Sequence, residues 1–75
     1  MDTNVQLTDG QARELAHIAA ENGWLHYDYF DGDNYFRPIG EALHTAGMIE
    51  PGARDGIRTW ELTAAGRAWL AAREG

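Results

Sequence analysis

Ala12, Leu15, Ile18 and Ala19 recur at helical spacing, while Arg13, Glu14, His17 and Glu21 occupy the other faces, so the first element is an amphipathic helix. Thr8 with Gln11 three residues on forms a capping-box pattern, Asp9 adds a carboxylate at the positive helix end, and Asn22-Gly23 supplies a left-handed stop. In residues 24–36 the period changes. Leu25, Tyr27 and Tyr29 alternate as in a strand, and Asp31-Gly32-Asp33-Asn34 then carries turn chemistry. A second helical stripe, Ile39, Ala42, Leu43 and Ala46, runs from Pro38 to Gly47 and leaves Gly40, Glu41, His44 and Thr45 facing outward. Two short strands follow, Met48-Ile49-Glu50 and Thr59-Trp60-Glu61-Leu62, with turn residues across 51–56. Thr63 then caps a last helix with Ala65, Ala68, Trp69 and Ala72 on its apolar side. Gly66 in its first turn costs about 1 kcal/mol relative to Ala, which predicts a close backbone approach there.

These elements predict an α+β fold of about three helices plus a two-stranded β-hairpin. One core is expected from Leu15, Ile18, Ile39, Leu43, Ile49, Leu62 and Trp69. Helix, Gly47-Met48-Ile49-Glu50, a Gly/Arg loop, and Trp60-x-Leu62-Thr63-x-x-Gly66-x-x-x-Leu70 together resemble the end of a winged helix-turn-helix domain of the PadR and MarR kind. The resemblance covers residues 38–70 well, the first helix generically and residues 24–36 poorly, and Trp60 stands where those families usually have Tyr. It implies that the hairpin is a wing, that the helix from Pro38 is the recognition helix, and that a short strand and another helix precede it; the turn residues 31–34 and the alternation of Leu25, Tyr27 and Tyr29 depart from that pattern and leave the preceding helix short, displaced or missing. It further implies that the last helix covers the first or packs against another copy, so a monomer or a homodimer is expected.

Seventy-five residues suit one domain near the size where a single core is only marginally sufficient. The absence of Cys excludes disulfides and thiolate metal sites, and no leader or long apolar run suggests a membrane partner, so a cytoplasmic location is the expectation. Charge changes the picture more. Six Arg and no Lys against twelve acids give a net charge of -6, which opposes a phosphate backbone and favours basic surfaces. Residues 1–50 carry nine acids against two Arg, or -7, whereas residues 51–75 carry three acids against four Arg, or +1.

Six of the thirteen residues in 24–36 are aromatic, interleaved with Asp28, Asp31 and Asp33. The Asp spacing does not reproduce the alternating ligands and central Gly of a calcium loop, so no metal is assigned to it. So small a core is not expected to hide every one of these rings, and aromatic residues anchor protein interfaces. Tyr27, Asp28, Tyr29, Asp31, Asp33 and Tyr35 are therefore the candidate contacts for a protein partner with a basic surface. In size and charge the chain is similar to small acidic phage inhibitors such as anti-CRISPR proteins and other DNA mimics. The alternative is a small transcription regulator that holds DNA through Arg37, His44, Thr45, Arg54 and Arg58, a meagre cationic set for the purpose. Enzymatic activity is not expected. There is no Cys, Ser or Lys nucleophile and no phosphate-binding glycine motif, His17 lacks an orienting partner in the local sequence, and Glu50 facing Glu61 across a hairpin reads as surface charge. No cofactor is expected.

Overall fold

The computed structural model describes residues 6–32 and 34–74. Three α-helices pack with a three-stranded antiparallel sheet in the order α1 (Asp9–Ala20), β1 (Trp24–His26), a 3₁₀ helix (Tyr27–Phe30), α2 (Phe36–Thr45), β2 (Ile49–Arg54), β3 (Ile57–Leu62) and α3 (Ala64–Glu74).

Helix α1 begins as its sequence dictates. The Thr8 hydroxyl accepts from the Gln11 amide N–H and the Gln11 side chain accepts from the Thr8 N–H, both at 3.1 Å, closing the capping box. Asn22 and Gly23 then take left-handed backbone, with φ of 79° and 87°, and the Gly23 N–H returns to the Ile18 carbonyl. Ala12, Leu15 and Ile18 face the core; Ala19 is exposed, and Glu14, expected on the polar side, is buried.

The hairpin is longer and its turn tighter than the sequence pattern suggested. Strands β2 and β3 pair from Ile49↔Leu62 to Arg54↔Ile57, so only Asp55 and Gly56 make the turn, and both adopt positive φ, the pattern a two-residue hairpin requires. Pro51 and Gly52 belong to β2. A proline is tolerated there because β2 is an edge strand.

The expectation of two strands is corrected to three. Trp24–His26 pairs antiparallel with β3, placing Leu25 opposite Trp60 and His26 opposite Thr59. The alternation stops at Tyr27, where the chain coils into one 3₁₀ turn in place of a full helix. Helix α2 starts at Phe36, so Pro38 falls within its first turn.

Leu15, Ile18, Phe30, Ile39, Leu43, Met48, Ile49, Trp60, Leu62 and Leu70 form one buried cluster. Six of the seven expected core residues are in it. Trp69 is the exception, half-buried at the edge, because α3 turns Gly66 and Leu70 inward and leaves Ala65, Ala68 and Ala72 exposed. The inward face of α3 is set at Gly66. A Cβ there would meet the Met48 carbonyl oxygen and approach Leu62 Cδ1 to 2.8 Å. Gly40, expected to face outward, is likewise buried, since α2 crosses the 3₁₀ helix closely enough that a Cβ would lie 2.7 Å from Phe30 Cβ.

Candidate functional site

The side chains of residues 27–35 divide between three environments. Phe30 is core, and Tyr29 points back to α1, where its hydroxyl donates to the Glu14 carboxylate at 3.0 Å and its ring stacks on His17 at 5.7 Å. Burial raises the Tyr29 pKa, and the adjacent Glu14 carboxylate, as hydrogen-bond acceptor and as charge, raises it further. Tyr29 thus fastens the segment to the fold and offers little to a partner. Tyr27 is half-buried, while Asp28 on the 3₁₀ helix and Asp31 just after it are exposed. Tyr35 is 56% exposed and meets Phe36 edge-on at 5.1 Å. Asp33 lies outside the described residues.

The residues assigned to the DNA alternative do not converge on a free cationic surface. Arg37 donates to the Asp31 main-chain carbonyl at 2.8 Å and stands 3.9 Å from its carboxylate. Arg54 forms a two-pronged pair with Glu61, at 3.0 Å from Nε and 2.9 Å from Nη2, and lies 5.0 Å from the centre of the Trp24 ring. Arg58 places its guanidinium 4.1 Å from the centre of the Tyr27 ring. His44 is exposed but leans on Trp60 at 5.0 Å, and Thr45 is the exposed last residue of α2.

Two groupings were not anticipated from sequence. On the inner face of the sheet, Arg58 and Trp60 sit two residues apart on β3 and therefore on the same side, where both reach Tyr27. The Tyr27 and Trp60 rings lie 4.7 Å apart and nearly parallel. On the outer face, Arg54 and Thr59 both bond Glu61, the Thr59 hydroxyl at 2.5 Å, above Gly52, where a Cβ would crowd the Glu61 side chain. Arg54 foremost, with help from Thr59, holds the Glu61 carboxyl below its ordinary range against the opposing effect of burial. Glu50 does face Glu61 across the strands, as expected. The available signal for these groupings was the period-2 spacing on β3; what sequence lacked was the register with β1.

Between the 3₁₀ helix, α2 and β3 lies a pocket of about 110 Å³ lined by Tyr27, Phe30, Asp31, Arg37, Gly40, Glu41 and Trp60. Phe30, Gly40 and Trp60 are buried and form its floor, while Asp31, Arg37 and Glu41 are exposed at its mouth. Set against known protein families, curated proteins and solved structures, the chain matches none of them. Among the described residues no helix is long and apolar enough to cross a membrane. One face of Tyr27 is taken by Trp60 and the other by Arg58, so what the site offers chemically is the exposed carboxylates of Asp31 and Glu41 at the pocket mouth, which can accept hydrogen bonds from a cation.

Proposed function

We propose that this chain is a winged-helix binding module without catalytic activity that engages a basic surface on a partner protein. In this reading α2 holds the recognition-helix position, the β2–β3 hairpin is the wing, β1 is the short first strand, and the 3₁₀ helix replaces the helix that would precede α2. One observation carries the choice of partner. Arg37, Arg54 and Arg58, the cations on which the DNA alternative depends, are each engaged with the chain's own carbonyl, carboxylate or ring, whereas the carboxylates of Asp28, Glu41 and Asp55 stand exposed with no partner among the described residues. A net charge of -6 works in the same direction. Each phosphate neutralised contributes about 0.9 to the salt slope of DNA binding, so three engaged arginines support only a shallow one. A Glu61 carboxyl held ionised by Arg54 is also a poor proton donor, which supports the absence of acid catalysis on the hairpin.

Exposed carboxylates steer encounter with Arg and Lys, while exposed Tyr35 and Ile57, the latter 52% exposed beside the turn, supply apolar contact. A nucleic-acid-handling complex is the partner class that fits, because its phosphate-binding groove is a large basic surface. The test is capture of a partner from host lysate, followed by association and dissociation rates at several salt concentrations. Changing Asp28, Asp31 and Asp33 to Asn should slow association and flatten its salt dependence, and Tyr35→Ala should mainly speed dissociation. A partner that binds the triple variant with unchanged rate and salt response overturns the proposal. So does sub-micromolar, sequence-specific DNA binding at physiological salt that Arg54→Ala with Arg58→Ala abolishes.

A further inference from the structure

The groove between α1 and α3 stands apart from an acidic chain by its charge. We infer that it docks an amphipathic helix of a partner protein, one whose apolar stripe is flanked by carboxylates; this surface is separate from the acidic one proposed above, and the inference does not rest on that reading. Two depressions, of about 410 and 240 Å³, share Ala16 and Leu70 and so run together along the helix pair. Ala12, Leu62 and Leu70 are its buried floor, while Ala16, Ala19 and Ala71 are exposed along it. Alanine walls let another helix approach closely. From Asp9 to Ala19 the groove follows α1 for about 15 Å, the length of two to three helical turns.

The arginines select the occupant. Three of the chain's six, Arg13, Arg67 and Arg73, line this groove, with Asp9 the one acid among the lining residues, so the local charge is +2 in a chain of -6. All three are exposed, and the ion pairs among the described residues, Arg37 with Asp31 and Arg54 with Glu61, involve none of them. Arg73 lies 5.3 Å from the centre of the Trp69 ring, and Arg67 packs against Gly23 at the carbonyl end of α1, contacts that hold both guanidinium groups beside the groove. The helix dipoles favour a cation at those two positions, but Arg13, near the positive end of α1, gains nothing from its own helix.

Carboxylates on either side of a helical apolar stripe would match both the cations and the floor between them. A phosphate backbone would leave the apolar floor unmatched and meet the net negative charge of the chain. A flat anionic bilayer would not reach the buried Leu70. A second copy seated across a two-fold axis would bring the same three arginines of each protomer together.

The experiment uses the full chain, isotope-labelled, titrated with an acetylated, amidated helical peptide of about three turns that carries Leu and Ala on one face flanked by Glu. It should give saturable amide shifts at Ala16, Ala19 and Ala71. The same peptide with Gln for Glu, and a shuffled peptide with its Glu and Leu spread round the helix, should each bind at least about fivefold more weakly. Arg13→Gln with Arg67→Gln and Arg73→Gln should weaken binding about tenfold, the loss of three exposed charge pairs. The thermal midpoint of that variant checks its folding, and Ala16→Glu, which removes no arginine, should weaken binding at least about fivefold by setting a like charge on the wall. Equal affinity for the Gln or shuffled peptide, shifts that do not saturate, or unchanged affinity of both variants each overturn the inference. Tighter saturable binding of a short DNA duplex or of phosphatidylglycerol vesicles at the same residues also overturns it, as does dimerisation in sedimentation that the arginine substitutions abolish; these assign the groove to phosphate, lipid or a second copy. Changing Asp28, Asp31 and Asp33 to Asn should leave peptide binding no weaker, so this inference and the proposed acidic interface fail separately.

Discussion

Gly66→Ala is the substitution for which the structure reverses the ordinary expectation. In an exposed helix interior the change would add about 1 kcal/mol of stability through helix propensity. Here the added methyl would press on the Met48 carbonyl oxygen and lie 2.8 Å from Leu62 Cδ1. That carbonyl is not free to move, because it accepts the Thr63 N–H at 3.0 Å and shares the Thr63 hydroxyl, 3.0 Å away, with the Gly47 carbonyl at 2.6 Å. The Thr63 hydroxyl also accepts from the Gly66 N–H at 2.9 Å, so the start of α3, the end of β3 and the β2 entry share one network. Overpacking of this kind costs about 1–3 kcal/mol, and each strained hydrogen bond adds about 1 kcal/mol. After the propensity gain is subtracted, the variant should be about 1–3 kcal/mol less stable. Urea unfolding followed by tryptophan fluorescence measures it, and the thermal midpoint should fall about 4–8 °C per kcal/mol. The neighbouring exposed Ala65 is the control: Ala65→Gly should obey propensity and cost about 1 kcal/mol. A Gly66→Ala variant as stable as the parent, or more so, would refute the packing described at this helix start.

Leu43→Ala removes a fully buried side chain and should cost about 2–5 kcal/mol in the same assay, a large part of the roughly 4–11 kcal/mol expected for a chain of this length. Tyr29→Phe should cost about 1–3 kcal/mol by leaving the buried Glu14 carboxylate without its donor; an unchanged urea midpoint would show that bond to be unimportant. Glu61 has a lowered carboxyl pKa in the folded state, so its stabilisation is fully present above the unfolded value of about 4.3 and is lost as pH falls through the lower folded value. Glu61→Gln should therefore flatten the acid limb of a stability-against-pH curve, and an identical limb in the variant would contradict the assignment.

Much of the fold was legible because its signals are local. The Thr8–Gln11 cap, the Asn22-Gly23 stop, the Ile39/Leu43 stripe and the Thr63 cap each depend on residues within one or two turns, and each is found as read. Trp69 and Leu70 are adjacent on α3, so both satisfy an apolar stripe approximately, and the choice between them falls to Gly66, whose close contact fixes the rotation of the helix. The third strand is a different case. Three residues, Trp24–His26, are too few to show a period, and their strand character comes from pairing with β3, thirty-five residues on in the Leu25↔Trp60 pair.

That pairing also explains why the candidate site was only half visible. Asp28 and Asp31 are exposed, as a carboxylate without a buried partner must be, whereas Glu14, expected on the polar side of α1, is buried with the Tyr29 hydroxyl as its donor. The rings were harder, because an aromatic side chain is equally at home in a core or an interface. Once β1 pairs with β3, Tyr27 comes against Trp60, and one 3₁₀ turn then carries Phe30 into the core and Tyr29 toward Glu14. A segment that reads as an aromatic patch becomes a pocket wall, a core residue and a tether, with Tyr35 left largely exposed. The charge pattern that remains outside is more negative than the sequence segment alone implies, because the same register brings Arg58 onto Tyr27 and Arg54 over Trp24. Strand pairing thus determines both which rings stay exposed and which arginines are engaged within the chain, and a proline in β1, such as Leu25→Pro, should disturb both together.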